Sequence, residues 1–206
     1  MKKIRLNGLI ESNCYILDKQ GECFIIDPGS DIESILEAIG DLKVKGILLT
    51  HGHFDHVDLI GSFIVPIYIH KNDDILLKRK ELSLYNIFNL EPSYYYPNLE
   101  IIKIDDGDEI DFQNEKIKVI HTPGHTSGSV CFLYKNKLFS GDTLFKNGIG
   151  RTDFPTSSEI EMKKSINKII NNLDENIVVY PGHDEKTTIK EEKGNNPYYL
   201  YYKEHY

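Results

Sequence analysis

Residues 50–56 read Thr-His-Gly-His-Phe-Asp-His, so His51, His53, Asp55 and His56 bring imidazole and carboxylate groups into one short stretch. Such groups ligate zinc, iron or manganese, and a divalent cation held by them makes a water acidic enough to attack a carbonyl near neutral pH. The run before the cluster, Val44-Lys45-Gly46-Ile47-Leu48-Leu49-Thr50, has the short apolar, β-branched character of a buried strand. The ligands therefore leave a stiff support. Just past the strand end His51 and His53 share a side, because extended side chains alternate. Asp55 and His56 fall on a new turn, and Val57, Leu59, Ile60 and Phe63 predict a short helix behind it. Two side chains facing one way and two re-aimed by a turn can serve two neighbouring cations, which a simple tetrahedral cage does not require.

Three later segments repeat the same grammar of strand, glycine and ligand. His125 lies in Thr122-Pro123-Gly124-His125-Thr126, Asp142 in Phe139-Ser140-Gly141-Asp142-Thr143, and His183 in Val178-Val179-Tyr180-Pro181-Gly182-His183. A carboxylate has two oxygens and can bridge two cations. The division this suggests puts His51, His53 and His125 on one metal and Asp55, His56 and His183 on the other, with Asp142 joining them. The expected cofactors are thus two divalent ions, zinc by default, with iron or manganese compatible with the same donors. His70, His121 and His205 are read as scaffold residues, His121 being a candidate support for His125. Asp27, before Pro28-Gly29, is read as orienting a histidine through the ring nitrogen that does not face a metal.

The ordered set His-x-His-x-Asp-His, Pro-Gly-His-Thr, Gly-Asp-Thr-Leu-Phe and Pro-Gly-His resembles the metallo-β-lactamase superfamily, and its glyoxalase II-like branch in particular. The resemblance runs from about Asn13 to Pro197. It also takes in Ile25-Ile26-Asp27-Pro28-Gly29, Gly150-Arg151-Thr152-Asp153, Thr187-Thr188-Ile189 and Asn196-Pro197. It implies an α/β fold, a four-layer αββα sandwich of two mixed sheets with helices on the outer faces and the metals at one edge. The implied activity is hydrolysis of a thioester of the hydroxyacylglutathione type by a metal-bridging hydroxide. Asp55 would orient that hydroxide and receive its proton, and Arg151 stands where glyoxalase II presents a basic residue to its substrate. Members of that branch carry an additional C-terminal helical domain, whereas this chain stops about where the sandwich ends, so it is similar to short, single-domain relatives and another low-molecular-weight thiol can replace glutathione. The alternative within the superfamily is a persulfide dioxygenase with a single iron. A β-lactamase is disfavoured because many carry cysteine where this chain has Asp142, and because the secreted ones need an export signal. A superfamily nuclease would want a substrate-binding extension and a basic surface, and a non-enzymatic metal-binding protein would leave the ligand set without a purpose.

The rest of the chain must position these groups. Its 206 residues show no linker or shift of composition, so one domain over residues 1–206 is expected. A net charge of −8 and the lack of a basic stripe argue against nucleic acid as a partner; the small-molecule thioester expected as partner is what the resemblance implies. No signal-like segment opens the chain and no stretch is long enough to span a bilayer, so no membrane partner and a cytoplasmic location are expected; oligomeric state is open. Cys14, Cys23 and Cys131 lie in strand-like runs without metal spacing and read as buried free thiols.

Strands are predicted at Lys3 to Leu6, Cys14 to Leu17 and Cys23 to Ile26, with a turn at Gln20-Gly21. Ser30-Asp31-Ile32-Glu33 reads as a capping box for a helix that places Ile32, Ile35, Leu36 and Ile39 on one side and closes at Gly40. A strand from Pro66 to His70 and a helical stretch from Asp73 to Lys78 follow. The second half predicts strands at Glu109 to Phe112, Lys116 to Ile120, Ser129 to Tyr134 and Leu138 to Ser140. A second helix, capped by Thr156-Ser157-Ser158-Glu159, turns Ile160, Ile166, Ile169 and Ile170 inward. Residues 80–100, interrupted by Pro92 and Pro97, have no clean period and read either as a lid or pocket wall or as a surface excursion. Tyr198-Tyr199-Leu200-Tyr201-Tyr202 reads as a terminal segment docked on the core.

Overall fold

The structure, a computed structural model, describes residues 1–204. His205 lies outside the described residues. The strands are β1 (Lys2–Leu6), β2 (Ser12–Lys19), β3 (Glu22–Ile26), β4 (Lys43–Leu48), β5 (Ile67–His70) and β6 (Ile101–Ile104) in the first half, then β7 (Glu109–Phe112), β8 (Glu115–His121), β9 (Val130–Tyr134), β10 (Lys137–Gly141), β11 (Leu144–Phe145), β12 (Gly148–Ile149), β13 (Val178–Pro181) and β14 (Thr187–Thr188). The helices are α1 (Ile32–Ile39), α2 (Phe54–Val57), α3 (Glu159–Asn172), α4 (Ile189–Asn195) and α5 (Pro197–Glu204).

Two six-stranded sheets form, in the orders β1-β2-β3-β4-β5-β6 and β14-β13-β10-β9-β8-β7. Both are mixed: β1 to β3 run antiparallel before β4, β5 and β6 add in parallel, and β13 joins the antiparallel β7 to β10 meander in parallel with β10. Strand side chains alternate, and both faces are used. Tyr15 and Leu17 of β2 turn toward the opposite sheet, where they meet Phe132 and Phe139, whereas Cys14 and Ile16 face outward onto Ile35 and Ile39 of α1. On the other side Cys131, Leu138 and Val179 pack under Met162, Ile166 and Ile169 of α3 and under Tyr199 and Tyr202 of α5. The result is the four-layer αββα sandwich. Burial of each large apolar side chain in these clusters stabilises the fold by roughly 1.5–3 kcal/mol.

Local expectations shift in instructive places. The N-cap of α1 is Asp31, not Ser30: it sits in the left-handed region at φ 62° and its carboxylate accepts from the Ser34 N–H at 3.1 Å. The second helix starts at its Ser158 cap, which accepts from the Glu161 N–H at 3.3 Å, and Ile160 is 69 % exposed while Met162 takes the inward place. Residues 73–78 form only a single 3₁₀ turn, Leu76–Lys78. Residues 80–100 contain two further 3₁₀ turns, Tyr85–Phe88 and Tyr96–Asn98, pinned by two aspartates. Tyr85 Oη donates to Asp58 at 2.8 Å and Tyr96 Oη to Asp74 at 2.5 Å, so the excursion is a fixed wall. The C-terminal tyrosines divide, with Tyr199 and Tyr202 buried and Tyr198 and Tyr201 exposed. Cys14, Cys23 and Cys131 are free and buried. No helix among the described residues is long and apolar enough to cross a membrane.

Candidate metal centre

The four ligand-bearing segments converge at one edge of the sandwich. Asp27 accepts from the Thr50 N–H at 2.8 Å and from Thr50 Oγ1 at 2.6 Å, and the Thr50 carbonyl accepts from the Val130 N–H at 2.8 Å, so the residue before His51 is tied to both sheets. His53 stands at the N-cap of α2, whose single turn then aims Asp55 and His56. Asp142 follows Gly141 at the end of β10, and His183 follows Gly182 after β13. Gly182 has no alternative, since a Cβ there would collide with Asp142 Oδ1 and approach His56 Cε1 at 2.7 Å.

Three overlapping groups result, His51 with His53 and His125, His51 with His56 and Asp142, and Asp55 with His56 and His183, each with its ligand-type atoms within 4.8 Å of one another. His53 Nδ1 lies 2.9 Å from His125 Nε2. Asp55 Oδ2 is 3.4 Å from Nε2 of both His56 and His183. Asp142 lies between the clusters, its Oδ2 3.5 Å from His125 Nε2 and 3.3 Å from His183 Nε2, its Oδ1 3.5 Å from His56 Nε2. All seven residues named from the sequence, His51, His53, Asp55, His56, His125, Asp142 and His183, are thus brought together.

These residues fit divalent cations. His51 Nε2 and Asp142 Oδ1 are buried and have no hydrogen-bond partner, a costly arrangement that ligation would relieve. The remaining nitrogen of four rings is held by the scaffold: His51 Nδ1 lies 3.1 Å from Thr50 Oγ1, His56 Nδ1 3.1 Å from Asp27 Oδ2, His125 Nδ1 2.9 Å from the Arg151 carbonyl and His183 Nδ1 2.7 Å from the Glu11 carbonyl. That fixes ring orientation and tautomer, as metal-bound histidine requires. Asp27 therefore has the orienting place expected of it. Burial pushes His51 well down and His53 down to about 3, which keeps both in the neutral form that ligates. At His56 and His183 burial acts in the same sense, but Asp55 and Asp142 outweigh it; His56 is raised well above its ordinary value and His183 to about 10. Burial would raise the two carboxyls, yet the facing imidazoles hold both well below the usual carboxylate range. This end of the centre is a place that attracts positive charge.

Arg151 contributes its backbone carbonyl to His125, while its guanidinium makes a two-pronged pair with Asp153, Nε to Oδ1 at 2.9 Å and Nη2 to Oδ2 at 2.7 Å. The guanidinium also lies 4.4 Å from the centre of the Phe154 ring. Two supporting residues carry no sequence signal. Phe154 sets its ring 5.7 Å from His53 and 5.9 Å from His125. Buried Asp73 accepts from the Gly52 N–H at 3.0 Å, Gly128 N–H at 2.7 Å and Thr126 Oγ1 at 2.7 Å, locking the first histidine loop to the His125 loop, and burial raises its carboxyl to about 6. Its partners are distant in the chain, so spacing does not reveal it. His70 and His121 stack on each other at 3.9 Å and join none of the three groups.

A cavity of about 450 Å³ opens onto His53, Asp55, His125, Asp142 and His183. A larger groove, about 630 Å³, runs from Arg151 to Tyr198 and Tyr201 but contains none of the converging residues, so chemistry places the site in the smaller one.

Comparison with known proteins agrees with this geometry. The family model of the metallo-beta-lactamase superfamily matches residues 7–183. Hydroxyacylglutathione hydrolase GloC of Haemophilus influenzae is 34% identical over 91% of this chain and 92% of its own length. Among solved structures, the BLEG-1 B3 metallo-beta-lactamase superposes with a TM-score of 0.87 at 32% identity, over 96% of this chain and 98% of that one. TTHA1623, solved in a di-iron-bound form, superposes with a TM-score of 0.82 at 29% identity, over 96% of this chain and 100% of that one.

Proposed function

This chain belongs to the metallo-β-lactamase superfamily, and we propose that it hydrolyses a small-molecule thioester, of the hydroxyacylglutathione type, with two divalent metal ions. The observation that carries the reading is the convergence of seven ligand-type residues around Asp142, with buried unpartnered His51 Nε2 and Asp142 Oδ1 facing inward and four imidazoles fixed from behind. His51, His53 and His125 would hold one ion and Asp55, His56 and His183 the other, with Asp142 placed within reach of both groups. When bound, such ions supply an acidified water and a Lewis acid for the carbonyl. Asp55, kept ionised below neutrality by His56 and His183, accepts a hydrogen bond from the attacking water, aims it and takes its proton. Arg151 is the candidate contact for an anionic carrier, by exchanging Asp153 for the substrate. Zinc is the default, and the likeness to a protein solved with two irons supports iron as the other choice. The working location is the cytoplasm.

The test is to strip the protein with chelator, reload it with zinc or iron, and assay hydroxyacylglutathione hydrolysis beside oxygen uptake on glutathione persulfide. Thioester turnover restored with metal and absent without it supports the reading. Oxygen uptake with one iron per chain would replace it with the dioxygenase.

A further inference from the structure

The cavity that reaches the metal-type residues has apolar walls on two sides. One is the turn at residues 84–88, where Leu84, Ile87 and Phe88 line the space. Phe88 packs on Phe54 at 5.0 Å, beside His53, and Ile87 and Phe88 are 56% and 36% exposed. The other comes from Phe145 of β11 and Ile149 of β12, with the Phe145 ring 6.0 Å from that of His183. The first wall is preformed. Asp58, which closes α2, binds Tyr85 Oη and the Ser93 N–H, and the Phe54 N–H donates to the Ser83 carbonyl at 2.9 Å, so the turn is fastened to the same short helix that carries Asp55 and His56.

Away from the converging residues, charge is scarce in the same space. Apart from the converging residues, its ionisable lining groups are Arg151 and Asp184, and the fork of Arg151 is engaged by Asp153. A rigid apolar surface left open to solvent beside a reactive centre is matched by an apolar ligand, since covering it removes that surface from water. Thiol carriers are mostly polar and must extend outward through the mouth. That leaves the acyl group against the walls.

Resting on the thioester reading above, we propose that this site selects, among thioesters of that type, those whose acyl group continues into an apolar chain lying between the 84–88 turn and the β11–β12 hairpin, over those with a short acyl group. The chain is held by Ile87 and Phe88 on one side and Phe145 and Ile149 on the other. Binding energy then grows with chain length, and a hydroxyl directed at these walls is left without a partner.

The experiment uses the zinc-loaded full chain and thioesters of one neutral carrier, N-acetylcysteamine, with acetyl, butyryl, hexanoyl, octanoyl and lactoyl groups. Expected is a kcat/KM that rises roughly twofold to fourfold per methylene, the upper figure being complete burial, with lactoyl below butyryl. Phe88→Ser and Ile87→Asn, both at solvent-exposed positions, should flatten that rise. A kcat/KM that is level or falls with chain length, or an unchanged slope in both variants, overturns the proposal. If no thioester of any length is hydrolysed, the thioesterase reading has failed, and calorimetric binding of octanoate against acetate judges the walls separately. Preference for octanoate upholds the apolar assignment, and equal binding overturns it.

Discussion

The His51–His53–His125 cluster and the Asp55–His56–His183 cluster adjoin each other and are built on opposite electrostatic plans. In the first, three imidazoles meet with no carboxylate of their own, and burial keeps His51 and His53 unprotonated. In the second, Asp55 and Asp142 impose so much negative potential that His56 and His183 are driven toward their protonated forms. One cluster offers neutral donors and the other an anionic basin. A cation in the first would meet three neutral imidazoles and a share of Asp142, whereas one in the second would also neutralise Asp55, so loss of Asp55 should empty the second before the first. On the proposed function, the water-activating role falls on the side that holds Asp55.

Asp142 reaches both clusters. Asp142→Ala should lower metal-dependent hydrolysis by roughly 10³-fold or more and reduce binding at both positions, measured by steady-state kinetics and elemental analysis. Asp55→Ala separates the two: the first cluster keeps its ion, the second loses its own, and turnover falls by about 10²–10⁴-fold with an unchanged circular dichroism spectrum. Wild-type turnover in that variant would remove Asp55 from the chemistry.

A smaller effect sharpens the contrast from behind. Asp27 accepts from Thr50 with both oxygens and also meets His56 Nδ1. In Asp27→Asn the amide nitrogen cannot accept, and metal affinity or activity should drop by about 10–100-fold, the range for groups that orient a ligand. Equal binding by wild type and variant would leave Asp27 with a folding role only. The smallest effect is expected at Arg151, because Asp153 already occupies its exposed fork. Arg151→Ala should raise KM for an anionic thioester by no more than about fivefold, with kcat and neutral substrates nearly unaffected. A larger rise would mean that substrate displaces Asp153 completely.

The clusters were legible in the sequence to different depths. His51, His53, Asp55 and His56 crowd into one motif, and His125, Asp142 and His183 each follow a strand and a glycine, so local pattern and family resemblance found every member of the groups. The four-layer sandwich was implied by the family resemblance, and the strand runs were compatible with it. What escaped depends on contacts between distant segments: Asp73 joins loops through Gly52, Thr126 and Gly128, and Phe154 stands against His53 and His125. The 80–100 wall was ambiguous because Asp58 and Asp74, which fasten it, precede it in the chain and show no periodic relation to it. At the helix starts several cap-type residues stand in a row, and tertiary packing chose Asp31 and Ser158 among them.

On the proposed function, two clusters of different charge hold two ions. Elemental analysis of the chelator-stripped and zinc-reloaded protein, wild type beside Asp55→Ala, tests it most directly. Two ions per chain are expected in the wild type and one in the variant. One ion per chain in the wild type, or the same number in both proteins, would contradict it.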